Sequence, residues 1–230
     1  MKLLLSLLIV LNCHLAIGQD YTQYNMLLGQ HVDLKGRVNY KALSKEKATI
    51  LRILTDWQKT DLQKLAKPAK LAFLINLYNL ETIYAIVQHY PITSIKDISK
   101  GRIWDEKRVV LNKKTYSLNE IENQLIRAEF KDARVHFVLN CAARSCPPLA
   151  QEAYTASNIE MKLEEKTRTF INNPDYNTFH KNKVVISSIF DWYKVDFGNT
   201  IGFINRYRKP VLPANTPIQY HTYDWKLNSQ

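Results

Sequence analysis

The run AKLAFLINLYNLETIYAIVQHY, Ala69 to Tyr90, limits the possible folds more than any other part of this chain. Leu71, Phe73, Leu74, Ile75, Leu77, Tyr78, Leu80, Ile83, Ile86 and Val87 leave almost no polar side on a helical wheel. A helix of that kind has to be covered on most faces, so the run predicts the central helix of a domain. Pro68 suits its first turn and Pro91 ends it. Asn76 and Asn79 lie one turn apart on one side. Buried amides need partners, so the pair is expected either to bond neighbouring backbone or to line a pocket.

Around this helix the pattern is mixed. Tyr21 to Leu28 reads as a short helix, Val38 to Leu43 as an extended or turn segment, and Lys45 to Leu65 as an amphipathic helix. RVVLNKKTYSL predicts a hairpin about Asn112-Lys113. Ser117-Leu118-Asn119-Glu120 is a capping box, which makes Glu120 a cap rather than a catalytic acid. Helix then runs to about Glu129. RVHFVLNC alternates as a strand does. Thr155 or Ser157 caps the next helix, Lys183–Ser187 is a short strand, and helices follow at Ser188–Phe197 and Thr200–Tyr207. Helices first, then strands mixed with helices, predict an α+β domain with the central helix packed on a small, mostly antiparallel sheet.

Lys2, the apolar Leu3–Leu11 and the small residues of Ala16-Ile17-Gly18 predict a cleaved export signal. Residues 1–18 are then the signal and 19–230 a single globular domain, periplasmic or secreted. Lipidation at Cys13 is the lesser alternative, because Asn12 stands where a small residue is wanted. No later stretch is expected to cross a membrane. The formal charge of +11 is scattered, without a basic stripe interleaved with aromatics. That and export argue against nucleic acid as a partner.

Motifs for nucleotides and for a serine nucleophile elbow are absent, and the six histidines never fall at H-x-H or H-x-x-x-H. Neither a metal nor a cofactor is expected. Asp191 and Asp196 sit five positions apart, about 140° on a helix, and so point away from each other. What remains is HFVLNCAARSCPPLA, His136 to Ala150. Strand alternation sets Cys141 on the apolar face and His136 on the other, about 16 Å away along a straight strand. Cys141 is thus expected to be buried or bridged, while the loop AARSCPP presents Cys146 towards His136. With Cys13 removed, two cysteines remain in an oxidising compartment, which predicts a Cys141–Cys146 disulfide.

The segments LLGQHVDLKGRVNYKAL, LAFLINLYNLETI, YSLNEIENQLIR, ARVHFVLNCAARSCPPL, SIFDWYKVDF and YDWKLN, in that order, resemble the family named domain of unknown function 547. The family comprises exported bacterial proteins and plant fusions, and membership implies no reaction. More remotely the chain is similar to the papain and transglutaminase-like superfamily, in which a cysteine opens the central helix and a histidine follows on a later strand. That resemblance implies a papain/transglutaminase-like core with His136 as the strand histidine. The central helix here has no cysteine; Asn76 and its neighbours stand in its place.

The sequence is therefore read as an exported α+β domain with a polar cleft lined by Asn76, Asn79, His136 and Cys146, with Asp191 or Tyr193 nearby. The cleft is expected to bind a small ligand, peptide, glycan or wall fragment. One alternative is a cysteine-type amide hydrolase or acyltransferase, with Cys146 as nucleophile, His136 as base and Asn76 or Asn79 orienting. The other is a protein-interaction scaffold.

Overall fold

A computed structural model describes residues 19–230. The expected signal, its cleavage point and Cys13 lie outside the described residues. The chain opens with α1 (Thr22–His31), α2 (Tyr40–Leu43) and α3 (Lys47–Trp57). These lead into α4 (Lys67–His89), which has Pro68 in its first turn. Every residue of α4 from Leu71 to Val87 except Tyr84 is buried, as its unbroken apolar circumference requires. Trp57 of α3 packs against Phe73 at 5.8 Å between ring centroids, with Tyr21 and Tyr24 edge-on to the indole.

By length and composition alone α4 could cross a bilayer, contrary to the expectation that no later stretch qualifies. In the fold its apolar surface is covered from within. Its principal neighbours are α3, the helical segment after Ser117, and α7 (Ile159–Asn172).

The hairpin forms as expected, β1 (Val109–Leu111) antiparallel to β2 (Lys114–Tyr116). Asn112 and Lys113 both take positive φ, 47° and 64°, the twist that suits a two-residue hairpin turn. The Ser117–Glu120 capping box is present, and α5 (Leu118–Glu120) begins there. The helix continues through a π-helical stretch, Ile121–Arg127, into α6 (Ala128–Phe130). Such wide turns shift the register of a helix, and here the shifted residues include Glu122 and Arg127.

The segment RVHFVLNC is not a strand. Asp132 caps a 3₁₀ turn at Ala133–Phe137, and the chain then runs irregularly to Ala142. Backbone groups that would have joined a sheet are taken by a side chain of α4. Asn79 donates from Nδ2 to the Val138 carbonyl at 2.9 Å and accepts the Asn140 N–H at 2.8 Å.

The remaining strands, β3 (Thr178–Phe179), β4 (Val184–Ile186) and β5 (Ile218–Tyr220), form one sheet in the order β3-β4-β5. The first pairing is antiparallel and the second parallel. The expected helix Ser188–Phe197 is broken at Tyr193 into α8 (Ile189–Trp192) and α9 (Lys194–Phe197), and α10 (Thr200–Tyr207) follows. The fold is α+β, but the sheet belongs to a second core with Phe137, Phe170, Phe190, Phe197 and Phe203. α4 organises the first core, which is mostly helical and takes in β1 of the antiparallel hairpin through Val109 and Leu111.

Candidate functional site

Where the two cores meet there is a cavity of about 310 Å³. Its wall is assembled from six separate stretches of chain. Tyr78 comes from α4, Trp104 and Asp105 from the turn before β1, and Glu122 from the π-helical stretch. His136 to Pro147 forms one side, and Ile189 to Tyr193 with Tyr223 and Trp225 closes the other.

Two asparagines of α4 begin the bracing of the middle stretch. Asn79 pins Val138 and Asn140 as described, and Asn76 does the same for Tyr154. Its Nδ2 donates to the Tyr154 carbonyl at 2.7 Å, and its Oδ1 accepts the Tyr154 N–H at 3.0 Å. Both amides are consumed by backbone, and neither lines the cavity. Asn140 extends the brace: its Nδ2 donates to Pro147 O and its Oδ1 accepts the Ala142 N–H. The final residues complete it. Leu227 bridges Ala143, while Arg144 and Ser145 donate to the carbonyls of Lys226 and Asp224. The segment YDWKLN therefore clamps the cysteine turn and carries Tyr223 and Trp225 to the cavity.

His136 is buried at the cavity wall and stacks on Tyr193, with ring centroids 3.8 Å apart. Its Nε2–H donates to Asp196 Oδ2 at 2.7 Å. Arg127 also donates to Asp196, from Nε to Oδ2 at 2.6 Å and from Nη2 to Oδ1 at 3.0 Å. Burial works against ionisation of Asp196, but the Arg127 and His136 hydrogen bonds outweigh it and keep the carboxyl below its usual range. Burial also pushes the imidazole down to about 4, against the pull of Asp196. The ring is thus neutral near pH 7. With the proton on Nε2, Nδ1 is left a lone pair that has no hydrogen-bond partner among the described residues.

Sequence reasoning discarded Asp196 because a continuous helix would aim it away from Asp191. The break at Tyr193 removes that geometry. Asp196 meets His136, while Asp191 is exposed and lies outside the cavity lining.

The cysteines exchange their expected places. Both line the cavity, but Cys141 is half-buried and Cys146 buried. Both are free thiols, so the expected bridge is not formed. Their sulfurs are nevertheless 2.6 Å apart, well inside the contact distance of two separate sulfur atoms and a short shift from a bridge. The Tyr223 hydroxyl lies 3.2 Å from Cys141 Sγ. Burial opposes the Cys141 thiolate, but the bonds from Cys146, Tyr223 and the Ala143 amide hold its pKa below the ordinary thiol value. Burial and the neighbouring sulfur push Cys146 well above it. Among the described residues no hydrogen bond joins the imidazole to either sulfur.

The remaining lining is aromatic and acidic. Trp104, Trp192 and Trp225 are three of the four tryptophans in the chain, and they touch one another at 5.7 and 5.8 Å. Burial raises Glu122 above the usual carboxyl range, against the hydroxyls of Tyr193 and Tyr78. Among the described residues no Lys or Arg lines this cavity. Cationic residues gather instead at a second cavity of about 240 Å³, beyond Cys146, which includes Lys35, Arg37 and Arg144. Among the described residues no group of three His, Cys, Asp or Glu side chains is placed to hold a metal.

Residues 62–171 match the family described as "Protein of unknown function, DUF547". This part of the chain belongs to that family. No curated protein and no solved structure matches the chain. The DUF547 segment supplies Tyr78, Glu122, His136 and both cysteines. Asp196, Tyr193, Tyr223 and Trp225 reach the cavity from outside the segment. Of the aromatic wall only Tyr193 was expected near the cleft; Tyr78, Tyr223 and the tryptophans carried no local signal. They are spread from Tyr78 to Trp225, and only their chemical likeness links the distant ones in the sequence.

Proposed function

We propose that this protein binds a short glycan or peptide fragment, neutral or cationic, in the aromatic cavity. The observation that carries the reading is the composition of the wall. Three of four tryptophans and three tyrosines face one space with no Lys or Arg among the described residues that line it, in a chain of formal charge +11. Indole faces cover the C–H faces of a sugar or an apolar side chain, and their negative quadrupoles favour a cation over an anion. Asp105 and Glu122 give the ligand's donors acceptors to bond. The volume lies at the low end for ligand pockets, which suits one or two residues of a polymer. Tryptophan fluorescence titrated with N-acetylhexosamine oligomers and uncharged tripeptides tests this. A saturable change is expected, and Trp192→Ala or Trp225→Ala should weaken it about tenfold, some 1.4 kcal/mol each. A flat response to both probe sets, or tighter binding of anionic analogues, would overturn the reading.

We also propose export to the periplasm or beyond, with cleavage near Gly18, supported by Lys2, Leu3–Leu11 and Ala16-Ile17-Gly18. An intact mass beginning near Gln19, without a lipid adduct, is the expected result.

One observation favours a second reading, acyl transfer or amide hydrolysis, in the manner the papain/transglutaminase-like resemblance implies. The His136–Asp196 pair, with its open nitrogen, borders the same cavity as a thiol. The nucleophile would then be Cys141, since Cys146 is buried. Labelling of Cys141 by an acyl-type probe, lost in His136→Ala, would support this reading.

A further inference from the structure

We propose that Cys141 and Cys146 form a thiol–disulfide exchange site, in which Cys141 attacks a disulfide arriving through the cavity and Cys146 resolves the mixed disulfide. The pair is built asymmetrically. Both line the cavity, but Cys141 is half-buried whereas Cys146 is only 5% exposed, with the two sulfurs in contact.

The turn that sets them side by side is already made. Ala142 is fully buried at φ 62°, a conformation that disfavours a side chain, and Cys146 N–H bonds Ala143 O at 3.1 Å. Asn140 ties both ends of the turn, and the 224–228 segment pins its middle. A backbone strained and braced in this way places the two sulfurs together before any oxidant arrives. Bond formation therefore needs a shift of the sulfurs rather than of the chain.

Acidity follows the same division. The outer thiol is held towards its thiolate by Cys146, Tyr223 and the Ala143 amide, and the inner one is held protonated by burial. An attacking thiol has to be both ionised and reachable, and a resolving thiol has to be close but unreactive towards outside partners.

The exchange balances without any further reagent. Cys141 thiolate bonds one sulfur of R–S–S–R′, and R′–S⁻ leaves and takes up a proton. Cys146 sulfur then bonds Cys141 sulfur, its proton passing to the departing R–S⁻. The ligand disulfide gains two electrons and two protons, and the protein dithiol loses them. Nothing in this step depends on what else the aromatic cavity holds.

The test uses the full chain, reduced, freed of reductant and exposed to a mixture of oxidised and reduced glutathione. Samples are quenched with acid, alkylated and weighed intact. Wild type should become lighter by two hydrogens with no lasting glutathione adduct. Cys146→Ser should accumulate a single adduct on Cys141, and Cys141→Ser should react at least about tenfold more slowly. A persistent adduct on wild type, or equal rates for the two variants, would overturn the proposal. If either variant fails to fold, mapping of wild type after substoichiometric alkylation decides the order: Cys146 labelled first overturns it, and Cys141 labelled first upholds it. The fluorescence titration remains separate. Bridge formation without fragment binding rejects only the binding reading, and binding without a bridge rejects only this one.

Discussion

Asn79→Leu tests the central structural claim, that an α4 side chain replaces a sheet partner for the segment carrying His136 and Cys141. Leucine has nearly the shape of asparagine, so the substitution opens little cavity and mainly deletes polar partners. Two groups are left behind in a buried site, the Val138 carbonyl and the Asn140 N–H. Each buried orphan costs about 1–3 kcal/mol, and some recovery through relaxation brings the pair to roughly 2–4 kcal/mol. At about 2–4 °C per kcal/mol for a chain of this size, the melting temperature should fall by roughly 5–15 °C. Urea denaturation followed by circular dichroism gives the free energy directly. Asn79→Asp, which keeps an acceptor but loses the donor and buries a charge, should be no better than the leucine variant. A midpoint moved by less than about 0.5 kcal/mol would refute the reasoning, since surface substitutions commonly do that much. Released from Asn79, the 138–140 backbone should also let Cys141 alkylate faster, a readout that global stability alone would not predict.

His136, pushed down to about 4 in the folded chain, refuses a proton that the unfolded chain accepts near its ordinary 6.5. Stability is therefore full above about pH 6.5 and falls by up to about 3 kcal/mol towards pH 4; His136→Gln should flatten that slope in denaturation curves taken at pH 7.5 and 4.5. Glu81 runs the other way. Burial raises it to about 7 despite Arg108, so its contribution is present below about pH 4.5 and is lost as pH rises to 7. Glu81→Gln should gain about 1–3 kcal/mol over wild type at pH 8 relative to pH 4.5. Gly36 has φ +72°, and a Cβ there would lie 2.5 Å from Pro148 Cβ and 2.6 Å from the Leu149 nitrogen. Gly36→Ala should cost roughly 2–4 kcal/mol by thermal melting, because backbone cannot yield as a flexible side chain can.

Features governed by near neighbours along the chain could be read from the residues alone. The circumference of α4 demanded burial, Asn112-Lys113 specified a tight hairpin, and Ser117 with Glu120 began a helix, each through groups within a few positions of one another. The α+β mixture followed from the order of such elements. The segment at His136 could not be read that way. Its alternation imitates a strand, but its hydrogen-bonding partner is a side chain some sixty positions earlier. Which cysteine faces the cavity depended on a turn braced by the last residues of the chain, which placed the sequence's exposed candidate inside and its buried one at the wall. Asp196 became the partner of His136 only because the helix breaks at Tyr193. The tryptophan wall likewise exists only where distant segments converge. Helix periodicity and caps are set by short-range geometry, whereas the chemistry of this cavity comes from contacts between residues tens to more than a hundred positions apart, and those are decided by packing.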